Sequence, residues 1–121
     1  MQADEPVQLL LEQGGAPPTV ALRGEIDLLH APRLRACLEE AVKTHPSEIV
    51  VDMAELTFID SSGLNALIFA ERMLRENGGH LVLSDPPRSA LRVLEVSGLN
   101  EVFRRANSRQ GAHWLRRSAH K

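Results

Sequence analysis

The residues of this 121-residue chain best placed to do chemistry are Asp60-Ser61-Ser62-Gly63, set between a hydrophobic strand-like segment and a strongly amphipathic helical one. Ser and Asp are favoured helix caps, because their side-chain oxygens accept bonds from the unpaired N–H groups of the first turn. One reading is therefore structural: a serine cap preceded by an aspartate, worth about 1 kcal/mol. The other is functional, with a serine hydroxyl displayed at the positive end of a helix dipole. A phosphoryl group placed there gains backbone N–H partners and favourable dipole interaction. Asp60 and a net-acidic body oppose its added charge of about −2, so the group changes partner affinity without refolding the domain.

Other catalytic constellations are absent. There is no Gly-x-x-x-x-Gly-Lys loop to cradle phosphates and no Gly-x-Ser-x-Gly elbow, and no histidine stands in sequence as an evident base for Ser61. His30, His45, His80, His113 and His120 are scattered without metal-ligand spacing, and His30 and His45 suit helix boundaries. Asp52 ends a buried strand-like run, where receiver domains accept a phosphoryl group. Such domains also need an acidic pair after the first strand and a later Lys. Here the first strand ends in Leu11-Glu12-Gln13 and residues 80–90 contain no Lys. Asp52 is read as a strand-end residue bonded to nearby backbone. The expectation is a binding module, with no enzyme activity, no metal and no cofactor of its own.

Composition agrees with a single α/β domain. The hydrophobic fraction is 43% and the charged fraction 25%, ordinary for a chain that buries one core. Aromatic content of 3%, with no Tyr, leaves no platform for stacking bases. The single Cys37 excludes an internal disulfide and suits a reducing compartment. No apolar run is long enough to span a bilayer and the acidic N-terminus is unlike a signal peptide, so the cytoplasm is expected. Residues 1–101 carry all 16 acids against 8 of the 14 Lys and Arg, a net of −8; residues 102–121 carry six basic residues and no acid. That basic tail reads as a solvated terminal helix, or as a surface for anions. With no groove-reading motif beside it, direct nucleic-acid binding is not expected.

The elements that must position Ser61 follow from periodicity. Val7–Leu11 and Thr19–Arg23 read as strands, the second ended by Gly24. Pro32 suits a first helical turn, and Leu34, Leu38, Ala41 and Val42 recur at helical spacing until Pro46. Glu48–Asp52 reads as a strand buried on both faces, and Leu56, Phe58 and Ile59 carry the chain to Asp60. A helix from about Ser62 to Asn77, a strand at His80–Ser84 and a helix after Pro86-Pro87 stopped by Gly98 come next. A last edge strand is expected at Val102-Phe103 and a terminal helix at about Ser108–Arg117. The order implies a mixed sheet of four to five strands packed with about four helices.

Three blocks carry a family resemblance: Gly24-Glu25-Ile26-Asp27, Leu56 through Leu64 around Asp60-Ser61-Ser62-Gly63, and Val96-Ser97-Gly98-Leu99. In this order and spacing they closely resemble the STAS domains of bacterial anti-sigma factor antagonists, over roughly residues 7–117. The resemblance implies a small α/β domain that binds an anti-sigma factor and frees its sigma factor. It implies that the partner is a serine kinase using its own ATP and Mg²⁺, that Ser61 is the phosphorylated residue, with Ser62 the lesser candidate, and that a metal-dependent phosphatase reverses the step. It places Glu25 and Asp27 on the partner surface beside Ser61, with Asp60 orienting the acceptor and Ser62 supporting it; Glu25 as a solvated loop acid and Gly24 as a plain turn residue are the alternatives. Gly63-Leu64-Asn65 departs from the Gly-Leu-Gly common in relatives, so Asn65 could alter partner choice. A STAS subunit that is never phosphorylated, in a membrane lipid-transport or stress-signalling complex, is the alternative role.

Overall fold

The computed structural model describes residues 5–10, 17–44 and 47–107. Five strands form one sheet in sequential order: β1 (Val7–Leu10), β2 (Thr19–Ile26), β3 (Glu48–Ile59), β4 (His80–Ser84) and β5 (Arg104–Ala106). β1 runs antiparallel to β2, and the remaining pairs are parallel. Parallel neighbours need crossovers, which are α1 (Ala31–Thr44), α2 (Ser61–Arg75) and α3 (Arg88–Val96). The terminal helix expected at 108–117 and the boundary role of His45 lie outside the described residues.

The core follows from the alternation of the strands and the stripe on each helix. Ile49 and Val51 of β3 and Leu81 and Leu83 of β4 join Leu34 and Leu38 of α1, Leu67 and Leu74 of α2, and Ala90 and Leu94 of α3 in one cluster. Their alternating neighbours Val50 and Val82 point to the other face, where they meet Ala106. Each fully buried leucine contributes about 1.5–3 kcal/mol relative to an exposed one. This packing fixes the helices against the sheet.

Three elements differ from the sequence reading. β2 does not stop at Gly24 but runs on to Ile26. Gly24 has φ +71°, which a residue lacking Cβ adopts without strain, and it lies between two register irregularities, at Ala21/Arg23 and Gly24/Glu25. Here glycine marks a bulge inside a strand. β3 does not end at Asp52: it continues for seven more residues, and Asp52 sits inside it opposite Ser84, accepting the Ala54 amide at 3.0 Å. The last strand lies at Arg104–Ala106, because Phe103 is buried as a plug in the core before the sheet is joined.

Candidate functional site

Because β2 and β3 are parallel and end together, the residues that follow them leave the sheet side by side. Ile26 pairs with Ile59, and the Asp60 amide donates to the Ile26 carbonyl at 3.1 Å. Asp27 opens one loop and Asp60 the other. The cap of α2 is Asp60 rather than a serine: its backbone is extended, and its Oδ1 accepts the amides of Ser62 at 3.0 Å and Gly63 at 3.2 Å. The Ser62 hydroxyl donates to the same oxygen at 2.6 Å. These bonds, the Ser62 hydroxyl foremost, hold the Asp60 carboxyl below its ordinary value, against an opposing contribution from burial. The Leu28 amide adds a last, smaller lowering of this carboxyl, and the loop after β2 is held beside the start of α2 by the Asp60 amide's bond to Ile26.

The two serines therefore differ in kind. Ser62 is half-buried and its hydroxyl is committed to the cap. Ser61 is the first residue of α2 and exposed. Among the described residues its hydroxyl makes no hydrogen bond. Gly63 is buried because α2 begins flat against the strand ends: a Cβ there would lie 2.7 Å from Ile59 Cγ1 and 3.2 Å from Ile26 Cγ2. Closer approach than that is available only to glycine.

The loop after β2 is tied down by Asp27. Its Oδ1 accepts the Leu29 amide at 3.0 Å and lies 2.9 Å from His30 Nδ1, and its carbonyl accepts the amides of His30 and Ala31. His30 thus stands at the start of α1, as its boundary position suggests. Glu25 is exposed beside Phe58 in the β2–β3 register, and its carboxylate makes no hydrogen bond to the Asp60–Gly63 turn. Asn65 is exposed four residues after Ser61, hence on the same side of α2 one turn further on. Phe69 continues that stripe, with the Arg35 guanidinium 4.1 Å from its ring centroid.

Two features escape the sequence reading. Leu28 and Leu29 are 75% and 84% exposed beside the acceptor turn, with Phe58 at 46%. Two leucines standing between a strand-ending acid and a helix-opening proline are visible in the sequence, but periodicity assigns them to no face. Glu71, only 2% exposed, lies inside α2's packed side. Its Oε1 accepts the Leu81 amide at 2.8 Å and its Oε2 the Arg75 Nε at 3.0 Å, bolting α2 to β4. No helix among the described residues is long and apolar enough to cross a membrane.

The family model described as "Mlab, STAS domain" matches residues 9–105. Among relatives that bear the name anti-sigma factor antagonist, BtrV of Bordetella bronchiseptica is 33% identical over 91 residues, covering 75% of this chain and 78% of its own. The anti-sigma F factor antagonist of Paenibacillus polymyxa is 29% identical over 98 residues, covering 80% and 84%. The fold is that of unphosphorylated SpoIIAA from Bacillus, with a TM-score of 0.75 at 24% identity over 91% of this chain and 96% of the other. SpoIIAA has also been solved in a phosphorylated form, with a TM-score of 0.69 to this chain. With the family match spanning most of its length, and with its five-stranded sheet and three crossover helices, this chain belongs to the STAS domain family.

Proposed function

We propose that this chain is an anti-sigma factor antagonist that acts in the cytoplasm, binding an anti-sigma factor while Ser61 is unmodified and releasing it once Ser61 is phosphorylated. The relatives' shared name supports the first half. The observation that carries the second is the contrast between the two serines: an exposed, uncommitted Ser61 hydroxyl beside a Ser62 hydroxyl already donated to Asp60.

The partner is an anti-sigma factor with serine kinase activity, holding ATP and Mg²⁺ in its own site. The Ser61 oxygen, giving up its proton, attacks the γ-phosphorus, the bond to the β–γ bridging oxygen breaks, and ADP and the proton leave. The new group brings about −1.5 to −2 of charge beside the Asp60 carboxylate. At a solvated helix N-terminus that charge is tolerated, because backbone amides and the dipole face it. Beneath a docked protein it is desolvated next to a like charge, and the complex separates. A metal-dependent serine phosphatase restores the hydroxyl. The chain itself needs no metal or cofactor for this role.

Mass spectrometry after incubation with the source organism's anti-sigma kinases and ATP tests the reading. The expected result is one phosphoryl group on the wild type, mapped to Ser61, none on Ser61→Ala, and weakened binding by Ser61→Asp. Full regulation by Ser61→Ala in cells would instead assign the chain to a complex that needs its surface but not its hydroxyl.

A further inference from the structure

The loop between β2 and α1 exposes two large apolar side chains that the fold does not use. Leu28 and Leu29 are 75% and 84% exposed, whereas each neighbouring leucine of α1, Leu34 and Leu38, is fully buried. The loop that carries them is firmly held. Leu29's amide is bonded to the Asp27 carboxylate and the amides of His30 and Ala31 to the Asp27 carbonyl, while at the loop's root the Asp60 amide donates to the Ile26 carbonyl. A rigid loop that presents adjacent leucines to water loses little backbone freedom when they are covered. The strand end from which they spring is bonded to Asp60, the cap of the helix that displays Ser61. Around them stand carboxylates: Glu25 is exposed, and Asp27 and Asp60, though bonded within the loop and the cap, are half-buried.

We infer that Leu28 and Leu29 are the apolar anchor of the docking face, seated in an apolar pocket with a basic rim on the anti-sigma kinase, and that they select which kinase reaches Ser61. The inference rests on the anti-sigma antagonist reading above and adds the chemistry of the partner's surface. Apolar side chains at the centre with acids around them match the usual division of an interface into a dry middle and a polar rim. Since the root of their loop is bonded to Asp60 through the Ile26 carbonyl, docking the leucines brings the Ser61 hydroxyl to a fixed place on the partner. Both binding and phosphorylation then depend on the loop, though neither leucine touches the transferred group.

The experiment is a titration of the full-length protein against each purified anti-sigma kinase of the source organism, with the kinase's nucleotide bound, for wild type, Leu28→Ser, Leu29→Ser, Leu29→Met and Ser61→Asp. Circular dichroism and thermal melting of the leucine variants should match wild type, since the side chains are already in water. The expected result is a loss of affinity of about tenfold to a hundredfold for each serine variant, a parallel fall in the phosphorylation rate at limiting concentration, and retention of binding by Leu29→Met. Wild-type binding weakened by Ser61→Asp but unchanged by Leu28→Ser and Leu29→Ser would overturn the inference and leave the antagonist reading standing. No binding by any kinase would remove both. A dimer in sedimentation equilibrium that Leu29→Ser dissociates would assign the leucines to a second copy of this chain and overturn the inference.

Discussion

The Asp60 carboxylate receives the Ser62 hydroxyl at 2.6 Å, while Ser61, one residue earlier, is left facing solvent. A single cap thereby separates two chemically identical side chains into a support and an acceptor. Ser62→Ala should still be phosphorylated once, at Ser61, by the kinase that modifies wild type. Its Asp60 carboxyl, having lost the strongest of its bonds, should titrate closer to its ordinary value. Site-mapped mass spectrometry and NMR titration of the carboxyl check the two halves.

Asp60→Ala removes the cap of α2 and should destabilise the protein by about 1–2 kcal/mol near neutral pH. The pH dependence has a definite sign. A carboxyl whose folded value is depressed stabilises the native state above its unfolded value, ordinarily 3.8, and loses that contribution as pH falls through the folded value. The stability gap between wild type and Asp60→Ala should therefore be full at pH 6–7 and narrow below about pH 4. Urea denaturation at a series of pH values measures it.

Gly63→Ala should lower both stability and phosphorylation. The added methyl would stand 2.7 Å from Ile59 Cγ1, so either Ile59 shifts or α2 lifts off the strand ends. Overpacking of this kind costs about 1–3 kcal/mol. Lifting α2 displaces Ser61 relative to the Asp27 loop, so kinase turnover should fall beyond what the fraction unfolded explains. Thermal melting alongside phosphorylation rates separates the two effects.

Glu71→Ala leaves the buried Leu81 amide without its acceptor and should destabilise by about 1–3 kcal/mol or more. Glu71→Gln keeps an oxygen for that amide and should lose less. Neither should alter partner binding at temperatures where the variant is folded, because Glu71 lies on the packed side of α2. Denaturation midpoints and binding titrations provide the check.

The order of elements and the place of the acceptor turn were legible because they rest on short-range signals. Val50 and Val51 announce a buried strand, Pro32 and Pro86-Pro87 announce helix starts, and Asp60-Ser61-Ser62-Gly63 announces a helix N-terminus. What failed depends on long-range packing. Gly24 looks like a terminator, yet β3 beside it keeps β2 extended through a bulge. Asp52 and Glu55 interrupt an apolar run, so the second half of β3 is hidden from periodicity, although β2 supplies its partner. Asp60 rather than a serine caps α2, a distinction set by one backbone dihedral pair that composition does not encode. The buried carboxylate of Glu71 is illegible because its partner, an amide of β4, is ten residues away and belongs to no side chain.

The unequal pairing of β3 has its own consequence. β4 accompanies it only from Glu48 to Asp52, whereas β2 follows it as far as Ile59. The acceptor turn thus rides at the tip of a two-stranded tongue that overhangs the rest of the sheet. Because side chains alternate with a period of two, adding or deleting one residue pair in both strands would slide the tip by about 6–7 Å and leave inside and outside unchanged. Reach toward a partner is thus set in whole pleats, and the start of α2 travels with the tip because Gly63 packs on Ile59 and Ile26.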